Sequence, residues 1–479
     1  MSGIYWGLAL YALVILGIGY SATKYKPIKS VDDFIVGNRF GSIVTGLASG
    51  STLASGYAFI GLVAVGYAMG FLALYQAILA PIVDLICWKY IARKVRRHAA
   101  EHGALTTVEV LGTLRQDKND FIKIIGGLIV GIFMFAYLGS NFIAAGKAAS
   151  ALDLNYTMGV VISSIIVILY TMIGGVTAVY WTDALQGFLM IFMCIFMPFA
   201  AIHHIGGVRE FLIQLHHIDP ILTSWSGGRA GWPLFVALWL WCSVAVGFLG
   251  QPQGIQKFIT IEDESKIPGG ALVAIWFNAI RQYFPLLLGL SCRVLFPVLT
   301  DKEMVTPFFI KEFFPNFMGG LMLAAIFAAI MSTTASLLYQ GTSEIIRNVM
   351  QRGFLKSKNL DTSFYARASK VVTLIYGLGA LVLALMKVDS VFYLTLLAWS
   401  GLAASFGPAI FAGFYWKKTT TKGILAGMIT GMVVTFLWYN GGHRWFGLHE
   451  GLPSFIVAAI AVVVVSLMTQ PQPSGTTKA

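Results

Sequence analysis

The sequence predicts an all-α polytopic membrane protein with about thirteen transmembrane helices, ten of them forming a 5+5 inverted-repeat core with broken first and sixth core helices. Three observations carry this expectation: the composition, the run of apolar stretches, and two interruptions at matching places. Of 479 residues, 57% are hydrophobic and 11% charged, where ordinary soluble proteins carry roughly 25% charge. With 33 basic and 21 acidic residues, the chain cannot cover the surface of several soluble domains, so most of it must sit in lipid.

A bilayer-spanning helix needs about 20 mostly apolar residues. Such stretches run approximately over 3–22, 42–69, 70–91, 121–149, 156–174, 180–205, 232–256, 268–292, 317–346, 368–387, 389–415, 423–440 and 452–470. The first has no basic flank before it and no small-residue cleavage site, so it reads as a retained helix rather than a signal peptide. Between the stretches nothing is long enough to fold separately. The expected units are therefore 1–41 (extra N-terminal helix and inner loop), 42–231 (first repeat), 232–416 (second repeat) and 417–479 (two C-terminal helices and tail).

An odd number of crossings puts the termini on opposite sides, and the Lys/Arg distribution decides which is which. With the N-terminus outside, 24 of the 33 basic residues fall on the cytoplasmic side, including Arg93 to Arg97, Arg347 to Lys370, and Lys417 with Lys418. Seven are outside, and Lys147 and Arg281 lie within apolar stretches. The net charge of +12 is thus a topology signal in a cell inner (plasma) membrane rather than a nucleic-acid footprint. In the inner loop 92–120, Thr106 to Leu111 reads as a short helix capped by a hydroxyl. His216 and His217 in the outer loop read as solvated, and Cys87, Cys194, Cys242 and Cys292, without CxxC or CxxH spacing, read as packing residues.

The pattern breaks in informative places. Ala48 to Gly56 interrupts the second stretch with Gly and hydroxyl residues, and Gly247 to Gly254 interrupts the seventh with Gly, Gln and Pro252. Proline lacks an amide proton and glycine permits unwound backbone. Irregular backbone at membrane depth is tolerated only where it is buried or lines a cavity. Five stretches begin with the first break and five with the second, which is the sequence pointer to a secondary transporter with its site between two broken helices. A third cluster, Ala328 to Ser336, places Ser332, Thr333 and Ser336 along one side of a helix, where hydroxyls can join unwound carbonyls around a sodium ion.

With these residues the chain resembles the sodium/solute symporter family, which includes sodium/proline, sodium/pantothenate and sodium/glucose transporters. Three segments carry the likeness: Asp32-Asp33-Phe34-Ile35-Val36-Gly37-Asn38-Arg39, the run Gly174 to Gly187 through Trp181, Asp183 and Gln186, and Ala328 to Thr333. The resemblance implies the leucine-transporter-type fold and sodium as coupling ion, with no other cofactor and no obligate protein partner. By position, it implies sodium at the carbonyls of Ser51, Ala54 and Ala329 and the hydroxyls of Ser332 and Thr333. Some members use the residue matching Asp183 in a second sodium site; here Ser336 fits it, but Ala335 offers no oxygen. Asp183 as a helix anchor is the competing reading.

The same resemblance puts the solute against Ser55, Gly56 and Tyr57, with Gln76, Tyr137, Trp241, Val244 and Phe248 around it. Leu53 and Val244 stand where the sodium/proline transporters carry an aspartate and a tryptophan. Arg281, in mid-stretch, costs at least about 2.5 kcal/mol to insert, and its planar fork suits a carboxylate. In the sugar transporters a lysine on the corresponding helix contacts substrate. These residues lead to a symporter importing a small organic solute, an amino acid or other carboxylate. A sodium/sugar symporter is the alternative within the class, and a channel or solute sensor on the same fold the alternative outside it. No HExxH, Gly-x-Ser-x-Gly or phosphate loop suggests an enzyme.

Overall fold

The computed structural model describes residues 2–25, 29–35, 39–115, 117–150, 155–356, 358, 360–386, 391–442 and 447–470. Residues 36–38 of the first family segment, Lys387, Arg444 and the tail 471–479 lie outside them. Helices follow in the order α1 (Ser2–Tyr25), α2 (Val31–Ile35), α3 (Ser42–Thr52), α4 (Leu62–Met69), α5 (Leu74–Ile86), α6 (Ala92–His102), α7 (Thr107–Leu114), α8 (Phe121–Ser150), α9 (Tyr156–Ile205), α10 (Val208–Ile218), α11 (Gly231–Val246), α12 (Pro252–Thr260), α13 (Ile267–Leu295), α14 (Val305–Phe313), α15 (Asn316–Glu344), α16 (Thr362–Leu385), α17 (Val391–Tyr415), α18 (Thr421–Leu437) and α19 (Gly451–Met468). Among the described residues there is no strand, only an isolated bridge between Phe40 and Ile261.

Among the described residues ten segments are long and apolar enough to cross a bilayer, where the sequence suggests about thirteen. Continuity explains the difference. The stretches 156–174 and 180–205 run into one another as α9, bent where Gly175 takes a φ of 51° that other residues resist. Tyr57–His102 joins the end of the second stretch to the third, and α1 offers only Ala9–Ser21 as a shorter apolar helix.

Burial separates core from periphery. Of the 18-residue apolar stretch in each span, 89% is buried in Phe317–Phe354, which holds most of α15, and 94% in α17, against 28% in α16 and 33% in Thr421–Gly442 and α19. The well-buried helices carry Gly, Ser and Thr because close approach needs small side chains; a Cβ on Gly401 would strike the Phe133 ring at 2.1 Å. The short α3 packs against α9, α13 and α15, which puts the first break at the centre of the bundle.

At one end of the bundle, Thr106 caps α7 by accepting a hydrogen bond from Glu109 N at 3.2 Å, while Glu109 accepts one from Leu105 N at 2.8 Å. Glu109 also pairs with Arg347 at 2.9 Å and Arg352 at 2.6 Å. Burial alone would raise the Glu109 carboxyl, but the two guanidinium groups and the Leu105 amide outweigh it and hold it below the ordinary carboxylate range. A depressed carboxyl contributes stability that is present above the unfolded-state value and lost as pH falls through the folded one. Glu109→Gln is expected to cost about 2 kcal/mol, since one partner of a mostly buried pair is removed and Arg352 is partly solvated. Thermal unfolding in detergent should show a lower Tm for the variant at neutral pH and a gap that closes under acid.

Candidate functional site

The site is assembled where α3 stops. Leu53 and Ala54 leave the helix, Ser55 adopts a φ of 52°, and the chain resumes as a π-turn over Tyr57–Gly61 before α4. A left-handed serine is strained, and such strain persists where its surroundings hold it. Here Ser55 N donates to Thr333 Oγ1 at 2.8 Å and Gly56 N to Asn141 Oδ1 at 3.0 Å. Gly56 is required by proximity: a Cβ there would lie 2.5 Å from that of Ala144.

Against this break α15 presents its hydroxyls. Ser332 Oγ and Thr333 Oγ1 each donate to the Ser51 carbonyl at 3.2 Å, and Ser332 Oγ also lies 3.2 Å from the Ala329 carbonyl. Of the five oxygens expected around sodium, those of Ser51, Ala329, Ser332 and Thr333 therefore converge. The Ala54 carbonyl accepts from Ala58 N at 3.2 Å. All five residues are fully buried. A hydroxyl keeps acceptor lone pairs when it donates, so this cluster can turn oxygen toward a cation without a buried carboxylate.

The second break behaves similarly. After α11 the chain takes a 3-10 turn over Gly247–Gly250, is extended at Gln251 and restarts as α12 with Pro252 at its first turn. Gln251 Nε2 donates to the carbonyls of Gly247 and Trp399, each at 3.0 Å, which satisfies groups that the lost helical bonds would leave bare. Gly247 is needed because a Cβ would fall 1.6 Å from Trp399 Nε1.

Between the breaks lies a cavity of about 20 Å³. Tyr57, Gln76, Tyr137, Val244, Phe248 and Arg281 line it, as the sequence suggests, together with Leu53, Gln282, Thr395, Leu396 and Trp399. Ser55, Gly56 and Trp241 do not. The Ser55 and Gly56 amides donate to Thr333 and Asn141 and Ser55 Oγ accepts from Tyr57 N, while Trp241 packs behind the cavity with Tyr57, Leu62 and Leu286. Room for roughly one water means that a solute enters only when the surrounding helices part.

Polar groups in the wall are chained together. Tyr57 Oη donates to Gln76 Oε1 at 2.9 Å, and Gln76 Nε2 donates to Gln282 Oε1 at 3.2 Å. Trp399 stands edge-on to Phe248 at 5.0 Å and to Tyr137 at 6.3 Å between centroids. Arg281 is the exception to this saturation. It is 2% exposed, sits 5.5 Å over the Phe248 ring, and its Nε and one terminal nitrogen have no hydrogen-bond partner. The nearby Asp84 carboxylate accepts instead from Asn278 at 2.8 Å.

Asp183, on α9, lies beside the cluster of Ser51, Ser332 and Thr333, in contact with Thr52 and Ser336. Its Oδ2 accepts from Thr52 Oγ1 and Ser336 Oγ, both at 3.0 Å, and pairs with Lys257 at 3.5 Å. Lys257, one of the basic residues that the sequence counts toward the cytoplasmic side, is 2% exposed. It belongs to α12, whose helix continues past the apolar stretch and carries the residue into the bundle.

Known proteins resemble this arrangement along the whole chain. Residues 34–431 match the model of the sodium:solute symporter family. The osmoregulated proline transporter of Bacillus subtilis is 28% identical over 97% of this chain and 94% of its own. The sodium/proline symporter of Staphylococcus aureus is 29% identical over 97% and 92%. In three dimensions, a Na+-coupled sialic acid symporter in a substrate-bound outward-open state superposes with a TM-score of 0.82 at 19% identity, covering 98% of both chains. MhsT in complex with L-phenylalanine superposes at 0.57 with 16% identity, over 90% of this chain and 99% of its own. These neighbours share the leucine-transporter-type fold, and the curated relatives are transporters rather than enzymes. A family match over four-fifths of the length, on a bundle whose two breaks enclose a cavity with a buried arginine in its wall, leaves one reading: the chain belongs to the sodium:solute symporter family.

Proposed function

We propose that this multi-pass membrane protein is a sodium-coupled symporter that imports a small carboxylate-bearing solute, with its N-terminus outside and its C-terminus in the cytoplasm. Family membership supports sodium as the coupling ion. The observation that carries the solute class is the Arg281 guanidinium in the cavity wall, two of whose nitrogens have no hydrogen-bond partner. A buried cation without a partner is costly, and a carboxylate accepting both free N–H groups would relieve it. Phe248, Val244 and Leu53 offer the solute's body apolar contact.

In mechanism, sodium bridges the carbonyls of α3 to the hydroxyls of α15 and fixes the break; the solute carboxylate then meets Arg281 on α13, and closure joins the two repeats around both. Release follows when the core tilts and the cluster parts. Among the described residues no acidic side chain lines the cavity, so an ammonium group on the solute would find aromatic rings, amides and hydroxyls but no counter-charge. That distinguishes two solute types within the class. A monocarboxylate carried with one sodium moves no net charge, whereas a zwitterion such as proline carried with one sodium moves a positive charge, worth roughly 2.3 kcal/mol per 100 mV.

The test is uptake into proteoliposomes under an inward sodium gradient, screening proline, other amino acids, monocarboxylates and sugars, with and without an imposed potential. Accumulation of a carboxylate solute in sodium but not in potassium is the expected result. Accumulation of sugars alone would overturn the solute class, and sodium currents with no accumulated solute would overturn symport.

A further inference from the structure

The pair between Lys257 and Asp183 has no part in holding solute or the sodium at Ser51, yet it is the most deeply buried ion pair of the chain's described residues, with exposures of 2% and 0%. We propose that the Lys257 ammonium is a tethered cation standing in the place of a second coupling ion, so that this protein moves one sodium per solute. The inference rests on the symport reading above and refines it.

Four elements meet at the Asp183 carboxylate: the end of α3 through Thr52, α9 through Asp183 itself, α12 through Lys257, and α15 through Ser336. Thr52 Oγ1 and Ser336 Oγ are also 2.9 Å apart. Carboxylate and paired hydroxyls in a dry pocket are hard-oxygen chemistry fit for a small cation. Lys257 supplies that cation on the Oδ2 side, while Oδ1 has no hydrogen-bond partner. The ammonium lies 3.5 Å from Asp183 Oδ2 and 3.8 Å over the face of Tyr180, an aromatic surface that attracts cations and holds this one. Tyr180 is itself fixed, stacked on Phe40 at 4.3 Å and hydrogen-bonded to Thr260 Oγ1 at 2.5 Å.

A sodium ion added here would share one carboxylate with the ammonium at a few ångströms in a water-free interior, where like charges repel strongly. Unlike a free ion, Lys257 cannot leave, so it compensates Asp183 in every state of the cycle and contributes nothing to the driving force. The sodium cluster at Ser51, Ser332 and Thr333 is adjacent in sequence to Thr52 and one helical turn from Ser336. The tethered charge therefore supports the neighbouring site without adding an ion to it.

The experiment is the ratio of radiolabelled sodium to solute taken up by proteoliposomes containing the full chain, together with the Hill coefficient for sodium. Wild type and Lys257→Arg should give one sodium per solute and hyperbolic activation. Lys257→Met opens the carboxylate to an ion, so its sodium activation should become sigmoidal and its ratio rise toward two. Two sodium ions per solute in wild type would overturn the proposal, and that measurement stands even if Lys257→Met fails to insert. Lys257→Met holding at one sodium would overturn it as well. Wild type with no sodium-dependent uptake at all would instead defeat the symport reading, a separate outcome.

Discussion

Replacing Ser332 and Thr333 together by alanine is expected to abolish sodium-stimulated uptake while leaving the protein inserted and folded. Each hydroxyl donates to the Ser51 carbonyl at 3.2 Å, and Thr333 Oγ1 also accepts from Ser55 N. The double variant thus removes both side-chain oxygens of the proposed sodium cluster and the anchor of the strained residue at the break. Neutral hydrogen bonds of this kind contribute about 1 kcal/mol each, a loss that a core as well packed as α15 in its bundle can absorb. For sodium the loss is of another order, because two of five ligands disappear and the remaining carbonyls are no longer fixed. Purified variant should keep its monodispersity and Tm within a few degrees, while solute uptake no longer responds to sodium. Sodium stimulation equal to wild type would place the ion elsewhere.

Why this cluster was legible in the sequence, and other parts of the site less so, follows from what interrupts an apolar helix. Ser51, Ser332 and Thr333 stand out because hydroxyls and glycines are unexpected in lipid, and the two breaks stand out because Gly and Pro252 undo hydrogen bonds that nothing in a membrane replaces. Trp399 and Leu396 carried no such signal. They sit on α17, an apolar helix whose burial is decided by its neighbours, and an aromatic residue there looks the same whether it packs or faces a cavity. Thr395 and Gln282 were visible as polar residues in apolar stretches, and that is the signal that could have found them. Lys257 was misplaced for a different reason: a basic residue just beyond an apolar stretch usually marks the membrane face, and only the partner on a distant helix, Asp183, shows otherwise. Ser55 and Gly56 were assigned to solute because they occupy the break, whereas the structure spends them on holding it.

Arg281→Gln is expected to remove most uptake of a carboxylate solute, by a hundredfold or more in solute affinity (about 3 kcal/mol for a charge-assisted, doubly hydrogen-bonded contact in a dry site), while half-saturation by sodium stays within a few-fold of wild type. The two effects separate because Arg281 lies on α13 and lines the cavity, whereas the proposed sodium ligands lie on α3 and α15 and at the break between α3 and α4. Glutamine retains length and one amide donor group but loses the charge and the fork. Folding should suffer little, since two guanidinium nitrogens lack a partner and Asp84 keeps its hydrogen bond from Asn278. A Tm within a few degrees of wild type alongside lost carboxylate uptake would be the combined signature of a residue kept for binding. Lys at the same position should restore part of the uptake through charge alone, because it supplies a cation without the planar pair of donors. Were Arg281→Gln to transport the solute as wild type does, the residue would be structural, and the carboxylate class would lose the observation on which it stands.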